Sequence, residues 1–407
     1  MYGGTGSRHH PGKGGKTPKN KEEKPLAWQE RRRTLWALSR TAAGLLYPKG
    51  TPPSELKGVA TCRWAVKSKS DGVNLHLSEY EGTGQKRASY SGLQTCGLVW
   101  RCPACAARIS EARRRQVNDA LSWAKGKGYG IAMMTLTARH GAGDPLKELL
   151  AAMKRAKRRF HKHRRWRTIK PRIIAVLTAT EVTHGKNGWH PHFHILLIFD
   201  GEEVRAELEA LGDPWRASLR REGLDGAAAA FDCQDASAAG RYVGKWGAGE
   251  ELTLSGKKRA NGKGRTPLQL LEAHKAGSQE AGELWLEYVQ AFHGRTQLHG
   301  LKPLLRLAGL EDVTDAEAAA DEAQDGQDRE EEPLTNIDYP TWRERGRSRR
   351  TDILDAAERE GAPGVWAVLE KPPEPPGSDM SELIEEPPPP KPGGLAAAAL
   401  AAVRRPR

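Results

Sequence analysis

Short apolar runs in the middle of the chain predict a set of β-strands. Residues 129–137, 173–179 and 192–199 are rich in aliphatic side chains and have the length of buried strands. A glycine-containing turn at 185–188 separates the second run from the third, so we expect these two to form an antiparallel hairpin. A further strand is expected at 73–80. Segments with helical spacing of apolar positions surround the strands, at 28–46, 108–127, 146–160, 203–222, 235–246, 267–274 and 280–292.

Histidines at alternate positions lead into the last of these strands. Because side chains along a strand alternate between its faces, His192 and His194 project from the same face, with His190 behind them if the strand extends that far. The hairpin places Glu181 on the neighbouring strand, near the imidazoles. This arrangement suits a divalent metal ion, whereas a pair of polar residues on a solvated strand face is the simpler alternative.

Four cysteines upstream have the spacing C-x33-C-x5-C-x2-C, at Cys62, Cys96, Cys102 and Cys105. The last two form a tight turn that can place two thiolates on one Zn²⁺ ion, and the first two can complete a four-sulfur site, which would be structural. A redox pair is the rival interpretation, but the βαβ pattern expected around such a pair does not surround it. Unrelated free thiols are the remaining alternative. Cys233 lies far away and is expected to be a lone buried thiol.

The balance of charge favours an anionic partner. The 407 residues carry a formal net charge of +14 and have a pI of about 9.6, which is typical of proteins that bind nucleic acid. Phe160 and Trp166 interleave with a dense basic stretch, as in surfaces that take up phosphates and bases, although two core aromatics on a charged helix would give the same pattern. The basic residues expected to contact DNA are Arg113, Arg114, Arg115, Lys154, Arg158, Arg159, Arg164 and Arg165.

Changes in composition divide the chain into four regions. Residues 1–55 are predicted to be a basic, mostly disordered arm with one possible helix, and 56–128 a cysteine-rich, zinc-binding module with a basic helix. Residues 129–310 hold the predicted sheet. From 311 to 407 the chain is acidic and then proline-rich, which predicts a largely disordered tail with a short docking helix around Trp366.

The apolar content and the cysteines indicate where the protein works. No stretch of 18 apolar residues is present, and the N-terminal segment lacks the apolar centre of a secretory signal, so neither a membrane span nor secretion is expected. Five cysteines, an odd number and mostly clustered, suit a reducing cytoplasm.

Three short motifs follow one another in the third region: T-L-T at 135–137, H-F-H-I-L-L at 192–197 and Y-V-G-K at 242–245. Together they resemble the motifs of the HUH endonucleases, and specifically those of the rolling-circle replication initiators of Streptomyces-type actinobacterial plasmids. The flanking stretches 93–110 and 265–298 are also similar to those initiators. The resemblance covers roughly residues 60–310.

The resemblance implies an α+β fold, in which a central antiparallel sheet is flanked by helices as in ferredoxin-like and RRM domains. It implies that residues 129–310 are an HUH endonuclease domain, which nicks and rejoins one DNA strand at the double-strand origin of a plasmid through a covalent 5′-phosphotyrosine. The expected partners are plasmid origin DNA and the host helicase and polymerase, in the bacterial cytoplasm.

The resemblance also implies roles for individual residues. Tyr242 would be the nucleophile, and Lys245, one helical turn further on, would stabilise the phosphate or the phenolate. The ligands of the catalytic ion, Mn²⁺ or Mg²⁺, would be His192, His194 and Glu181, with His190 as the alternate third ligand.

One position departs from the family pattern. Some relatives carry a glutamate four residues before the tyrosine, which activates water and ends replication, and Ala238 stands at that position here. Either Asp235 replaces this glutamate or termination uses another route.

Other functions fit part of the same pattern. A conjugative relaxase or an HUH transposase would use the same chemistry, and a zinc-containing DNA-binding protein with structural histidines would use none of it. The cysteine motif and the C-terminal flank favour the plasmid initiator.

Overall fold

A computed structural model describes residues 28–80, 85–201, 204–235, 264–320 and 332–372. Within these ranges the chain forms a five-stranded sheet, a three-stranded sheet and helices around both. The mixture of helices with antiparallel sheets agrees with the expected α+β class.

The five-stranded antiparallel sheet contains the strands predicted from the apolar runs. Its order is β6-β3-β5-β4-β7. The β4–β5 hairpin is confirmed, and it is longer than predicted because both strands continue to the turn, so that His190 is part of β5. The strands are β3 (Gly130–Thr137), β4 (Ile173–Gly185), β5 (Gly188–Phe199), β6 (Phe231–Asp235) and β7 (Leu298–His299).

Helices cover both faces of this sheet. One face, with Met134 and Ile195, packs against α3 (Leu146–Phe160), α4 (Arg164–Ile169), α5 (Val204–Glu209) and α6 (Gly212–Arg220). The opposite face, with Met133 and Leu196, packs against α2 (Pro103–Gly126) and α9 (Leu301–Ala308). The predicted helix at 203–222 is thus two helices, with a break at Ala210 and Leu211.

A second core lies around the three-stranded sheet, which has the order β2-β1-β8. Its buried residues include Leu38, Leu75, Ile109, Trp285 and Leu354, so each of the four regions predicted from composition contributes to it. The elements that supply this core are α1 (Trp28–Leu46), β1 (Val73–Tyr80), β2 (Gln85–Ser91), the start of α2, α7 (Pro267–Lys275), α8 (Gln279–Phe292), α10 (Asp315–Ala320), β8 (Thr335–Ile337) and α11 (Arg350–Glu370).

The prediction of a disordered tail from residue 311 is wrong for 311–320 and 332–372. Ile337 pairs with Val73, and the Trp342 side chain is fully buried and donates its indole N–H to the Trp64 carbonyl oxygen at 3.1 Å. The acidic and proline-rich composition on either side conceals the apolar positions that this segment carries. The helix expected around Trp366 is confirmed as the part of α11 that follows a break at Gly361, and the helix expected at 28–46 is α1. The predicted disorder of 1–27, 321–331 and 373–407 concerns residues outside those described.

A buried ion-pair cluster joins α1 to α11, and its removal should destabilise the protein. Asp355, which is 5% exposed, accepts hydrogen bonds from the guanidinium groups of Arg32 and Arg33. Replacing Asp355 by alanine leaves Arg32 with Glu358 as its remaining carboxylate partner, so the expected cost is about 1.5–3 kcal/mol, the contribution of hydrogen bonds to a charged group. Urea denaturation should show a correspondingly lower free energy of unfolding.

Asp352 offers a matched control on the same helix. Its half-exposed carboxylate lies 3.3 Å from Arg33, and exposed pairs contribute about 0–1 kcal/mol, so Asp352→Ala should leave the free energy of unfolding almost unchanged. Equal losses in the two variants would mean that the α1–α11 contact does not depend on the buried pair.

Candidate functional site

Glu181, His192 and His194 come together on the face of the five-stranded sheet that carries α2 and α9. The strand register places Glu181 opposite His192, and His194 opposite Thr135 of β3. One oxygen of Glu181, Oε2, lies 3.1 Å from His192 Nε2 and 2.9 Å from His194 Nε2. Ligand atoms about 3.0 Å apart match neighbouring positions of an octahedron with bonds of about 2.1 Å. The three side chains therefore fit a single divalent ion.

The charge of this cluster also suits a cation. Burial by itself would raise the pKa of Glu181, but the hydrogen bonds from His192 and His194 outweigh it and lower the pKa to about 2. Glu181 is therefore a carboxylate at neutral pH. The ring of His194 is held from its other side, since Nδ1 lies 3.2 Å from the Thr135 hydroxyl oxygen. A hydrogen bond on the second nitrogen fixes which nitrogen faces a metal.

The His190 ring contacts a second histidine that the sequence did not indicate. Its Nδ1 lies 3.3 Å from Nδ1 of His140, which follows β3, and the ring stands between those of His140 and His192. Burial, then the nearby His192 and His140, lower the pKa of His190 to about 4, so this imidazole is neutral at pH 7. The structure thus joins Glu181, rather than His190, to the histidine pair. His140 was missed because only strand register brings it near.

The four predicted cysteines form one compact cluster. The Sγ atom of Cys105 lies 3.5 Å from that of Cys62 and 3.6 Å from that of Cys96, and the Cys102 and Cys62 sulfurs are 3.8 Å apart. A tetrahedral zinc ion with Zn–S bonds of about 2.3 Å would place its sulfurs about 3.8 Å apart. None of the described cysteines is in a disulfide. The four side chains fit a structural Zn²⁺ ion.

Elements far apart in sequence hold this cluster in place. Cys102 precedes the first turn of α2 and Cys105 lies within it, where the N-terminal end of the helix favours thiolates. Hydrogen bonds from Cys102, Cys62 and Cys96 lower the pKa of Cys105 well below that of a free thiol. The buried Arg40 of α1 donates to the carbonyl oxygens of Val59 and Ala60, which fixes the turn that carries Cys62.

Comparison with known proteins places most of both clusters in one region. Residues 92–208, which include every proposed ligand except Cys62, match the family model Rep_1, described as a replication protein. We call residues 92–208 the Rep_1-matching region, because over this stretch the chain is similar to replication proteins.

Three curated proteins are similar to this chain, and two of them are named Protein rep. A Streptomyces lividans protein named Protein rep is 28% identical over 56% of this chain and 66% of its own length. A Bacillus amyloliquefaciens Protein rep is 31% identical over 24% and 28% of the two chains, and a Streptomyces cyanogenus protein named Neomycin resistance protein is 33% identical over 27% and 31%. The chain thus spans less than two thirds of each of these relatives. No solved structure matches significantly.

The basic residues expected to contact DNA differ in their burial and in their internal partners. The Arg113 guanidinium donates to the Val313 carbonyl oxygen at 2.7 Å and to Asp315 at 2.5 Å, which ties α2 to the segment before α10 and removes Arg113 from the expected DNA contacts. Arg159 also has an internal partner, because it donates to Glu222. Arg114 and Arg115 pair with Glu111, and Arg165 donates to the Ala210 carbonyl oxygen. The side chains that are at least partly exposed, with or without such a partner, are those of Arg114, Arg115, Lys154, Arg158, Arg159, Arg164 and Arg165.

The two aromatic residues among these charges belong to the core. Phe160 is fully buried and Trp166 is 4% exposed, and their rings pack on each other with centroids 5.5 Å apart. They are not a stacking platform for bases, since neither face is open. The simpler alternative for this pattern, a charged helix face over core aromatics, is confirmed.

His161, between these aromatics, should make stability depend on pH. Burial, then the charges of Lys157 and Lys170, lower the pKa of His161 to about 4. Between pH 6.5 and 4 the unfolded chain binds a proton here that the folded chain does not, so stability falls as pH falls through this window, by about 2 kcal/mol at pH 4.5. Urea denaturation at pH 7.5 and 4.5 should show a smaller difference for His161→Phe than for wild type. An equal difference would contradict this assignment.

Tyr242 and Lys245 lie outside the described residues, as does Ala238. The last described residue before them is Asp235, which pairs with Ala132. The first described residue after them is Gly264, next to Arg265, which pairs with His184 near the turn of the β4–β5 hairpin. Asp232 of β6 lies opposite Thr135, in the row that also holds His194. Within the described ranges, no helix has the length and hydropathy that a membrane span needs.

Proposed function

We propose that this chain is a plasmid rolling-circle replication initiator, which nicks and rejoins one DNA strand at the double-strand origin. One observation supports this most strongly: the Glu181–His192–His194 cluster lies inside the Rep_1-matching region, on adjacent strands of an antiparallel sheet. A structural role would not require one oxygen of a partly buried carboxylate to contact two imidazoles. We also propose that this region has the HUH endonuclease fold.

The side chains around the cluster prepare it for a metal-assisted step. When bound, a divalent ion, Mn²⁺ or Mg²⁺, would polarise the scissile phosphate and offset the charge that develops on it. Glu181 contributes the negative charge that attracts the cation, and the two Nε2 atoms complete the ligand set. Mixed nitrogen and oxygen ligation suits Mn²⁺ at least as well as Mg²⁺.

Tyr242 is the proposed nucleophile. Its hydroxyl oxygen forms a bond to phosphorus while the bond from phosphorus to the 3′-oxygen breaks, which leaves a 5′-phosphotyrosine. The tyrosine proton is lost and the departing 3′-oxygen gains one, so that a 3′-OH is free to prime synthesis. Lys245 stabilises the phenolate or the phosphate. Because the phosphodiester is exchanged rather than hydrolysed, the reverse step rejoins the strand.

The remaining features are assigned to DNA and to the host machinery. The exposed members of the basic set are proposed to contact the phosphates of the origin, with affinity that falls as salt rises. The cysteine cluster, with Zn²⁺, would hold α2 in position. The free 3′-OH would then be extended by a host polymerase, with a host helicase that separates the strands.

A covalent-adduct assay tests this proposal. The full chain is incubated with Mn²⁺ and a single-stranded origin oligonucleotide, and the products are separated on a denaturing gel. Wild type should give a protein–DNA adduct, and no adduct should form when EDTA is present during the incubation. Glu181→Gln should lower the rate of adduct formation about 100-fold or more, because a metal ligand contributes several kcal/mol of transition-state stabilisation.

An exposed carboxylate provides the control. Glu344 pairs with Arg343 on the surface, and Glu344→Gln should leave the rate unchanged. The proposal fails if wild type forms no adduct, or if adduct formation is indifferent to EDTA and to the Glu181 substitution.

A further inference from the structure

A cavity of about 100 Å³ lies directly beside the metal cluster. Its walls are the start of α2, residues 179–182 of β4, and helices α7 and α8. On this edge of β4 the pairing with β7 ends at Ala179, and the next pair is His184 with Arg265. Among the described residues, 180–182 therefore have no strand neighbour on this side, and the cavity occupies that position.

Aromatic side chains make up one wall of the cavity. The Trp100 ring packs against Phe292 with centroids 4.8 Å apart and edge-on against Tyr288 at 6.3 Å, and all three line the space. The Trp100 indole N–H donates to the Arg295 carbonyl oxygen at 2.7 Å, which fixes the ring. Of the three rings only Trp100 is partly exposed, whereas Tyr288 and Phe292 are 7% and 1% exposed and support it from behind. A flat apolar group would therefore pack against Trp100.

Polar groups are few and are placed at separate points. Among the described lining residues Arg101 is the only cation and Glu181 the only carboxylate. The Gln297 amide nitrogen donates to the Ser110 hydroxyl oxygen at 2.9 Å, and both side chains are nearly buried. The cavity thus suits a neutral ring with some hydrogen-bonding capacity, beside one position for an anion.

We propose that this cavity receives one unstacked nucleobase of the strand that is cleaved. The inference rests on the proposed nicking function and adds the part of the site that recognises the substrate. Glu181 belongs to both the metal cluster and the cavity wall, so a base that enters here belongs to a nucleotide at or next to the scissile phosphate. Arg101 is placed to meet a phosphate of the same strand.

Size and energetics select this occupant. Pockets for drug-sized ligands usually measure about 300 Å³ or more, so about 100 Å³ accommodates one ring system rather than a whole nucleotide. Unstacking a base costs least in a single strand, and stacking on an aromatic side chain is worth about 1–3 kcal/mol per base. The amide of Gln297 and the hydroxyl of Ser110 would add preference for one base over another.

An abasic-site scan tests the cavity. Tyr242→Phe protein, which would not cleave its substrate, is titrated by fluorescence anisotropy with single-stranded origin oligonucleotides that lack one base at a time around the nick. Removal of the base at one position should lower the affinity of the protein for the oligonucleotide about fivefold or more, which is the loss expected when a stacked base is removed. Ala106→Leu, which fills the cavity, should weaken binding of the intact strand and abolish the effect of removing that base.

Ala107→Leu is the matched control. Ala106 and Ala107 are neighbours on α2 with 8% and 7% exposure, but Ala107 does not line the cavity. Ala107→Leu should keep the dependence on that base. The inference is overturned if no position matters, or if Ala106→Leu and Ala107→Leu leave the dependence equally intact.

A second measurement needs no cavity substitution. 5-Iodo-deoxyuridine at the sensitive position, photolysed with the Tyr242→Phe protein, should crosslink to the peptide that contains Trp100 or Tyr288. Crosslinks confined to peptides outside the cavity would refute the inference. If wild type forms the adduct with Mn²⁺ but shows no such base dependence, the cavity assignment alone fails, whereas absence of the adduct is a failure of the nicking function.

Discussion

Replacing Tyr242 by phenylalanine is expected to abolish the covalent protein–DNA adduct. Phenylalanine keeps the ring but lacks the oxygen that would bond to phosphorus, so the loss should exceed about 1000-fold, the scale of losing a nucleophile. Binding of the same oligonucleotide, measured by anisotropy, should change little because the phosphate and base contacts remain. The measurement is the amount of adduct on a denaturing gel with Mn²⁺.

Tyr129 provides the control for this substitution. Its ring packs edge-on against Trp123, with centroids 5.8 Å apart, at the end of β3 away from the histidine cluster. Tyr129→Phe should form the adduct at the wild-type rate. If Tyr242→Phe still forms the adduct, another residue is the nucleophile and the proposed mechanism is wrong.

Replacing Cys102 by serine is expected to remove the structural zinc and to destabilise the second core. Cys102 is 1% exposed and lies at the start of α2, and a serine hydroxyl is a poor zinc ligand. Structural zinc sites contribute roughly 10–16 kcal/mol of apparent binding free energy, so the loss of one thiolate should cost several kcal/mol. Elemental analysis should show one zinc per wild-type chain and almost none in the variant, and the thermal midpoint should fall by more than 10 °C.

Cys233 separates this effect from the general loss of a thiol. It lies on β6, outside the cluster, and burial raises its pKa to about 12, so it is a neutral thiol. Cys233→Ser should retain the full zinc content. Wild type without zinc, or Cys102→Ser with a full complement of zinc, would contradict the assignment of the cysteine cluster.

One helix connects the two clusters, which explains why both occur in one domain. Cys102 immediately precedes α2 and Cys105 lies in its first turn, and the later residues Val117 and Leu121 pack on the sheet face that carries His192 and His194. The cysteine cluster thus sets where α2 begins, and α2 covers the part of the sheet next to the metal ligands. Loss of zinc is therefore expected to impair cleavage indirectly, through the position of this helix.

Local sequence pattern was sufficient for the metal ligands. Alternation along a strand places His192 and His194 on one face whatever surrounds them, and a tight turn at 185–188 brings Glu181 back beside them. The four-cysteine spacing predicted a cluster in the same way, because two of its members share one tight turn. Where the residues concerned are close in sequence or belong to one hairpin, the alternation of side chains along a strand and the residues of the turn determine their relative positions.

Tertiary structure decided what depends on contacts between distant segments. The sequence predicted that Arg113 contacts DNA, but in the structure it pairs with Asp315. The sequence also allowed Phe160 and Trp166 to be a stacking surface for bases, but α6 covers them. His140 joins His190 only through strand register, and residues 332–372 are ordered because α1 and β1 offer them a buried surface. Charge and composition are properties of a segment alone, whereas burial and pairing are properties of two segments. The grouping of Glu181, His192 and His194 could therefore be predicted from the sequence, but the surfaces that surround them could not.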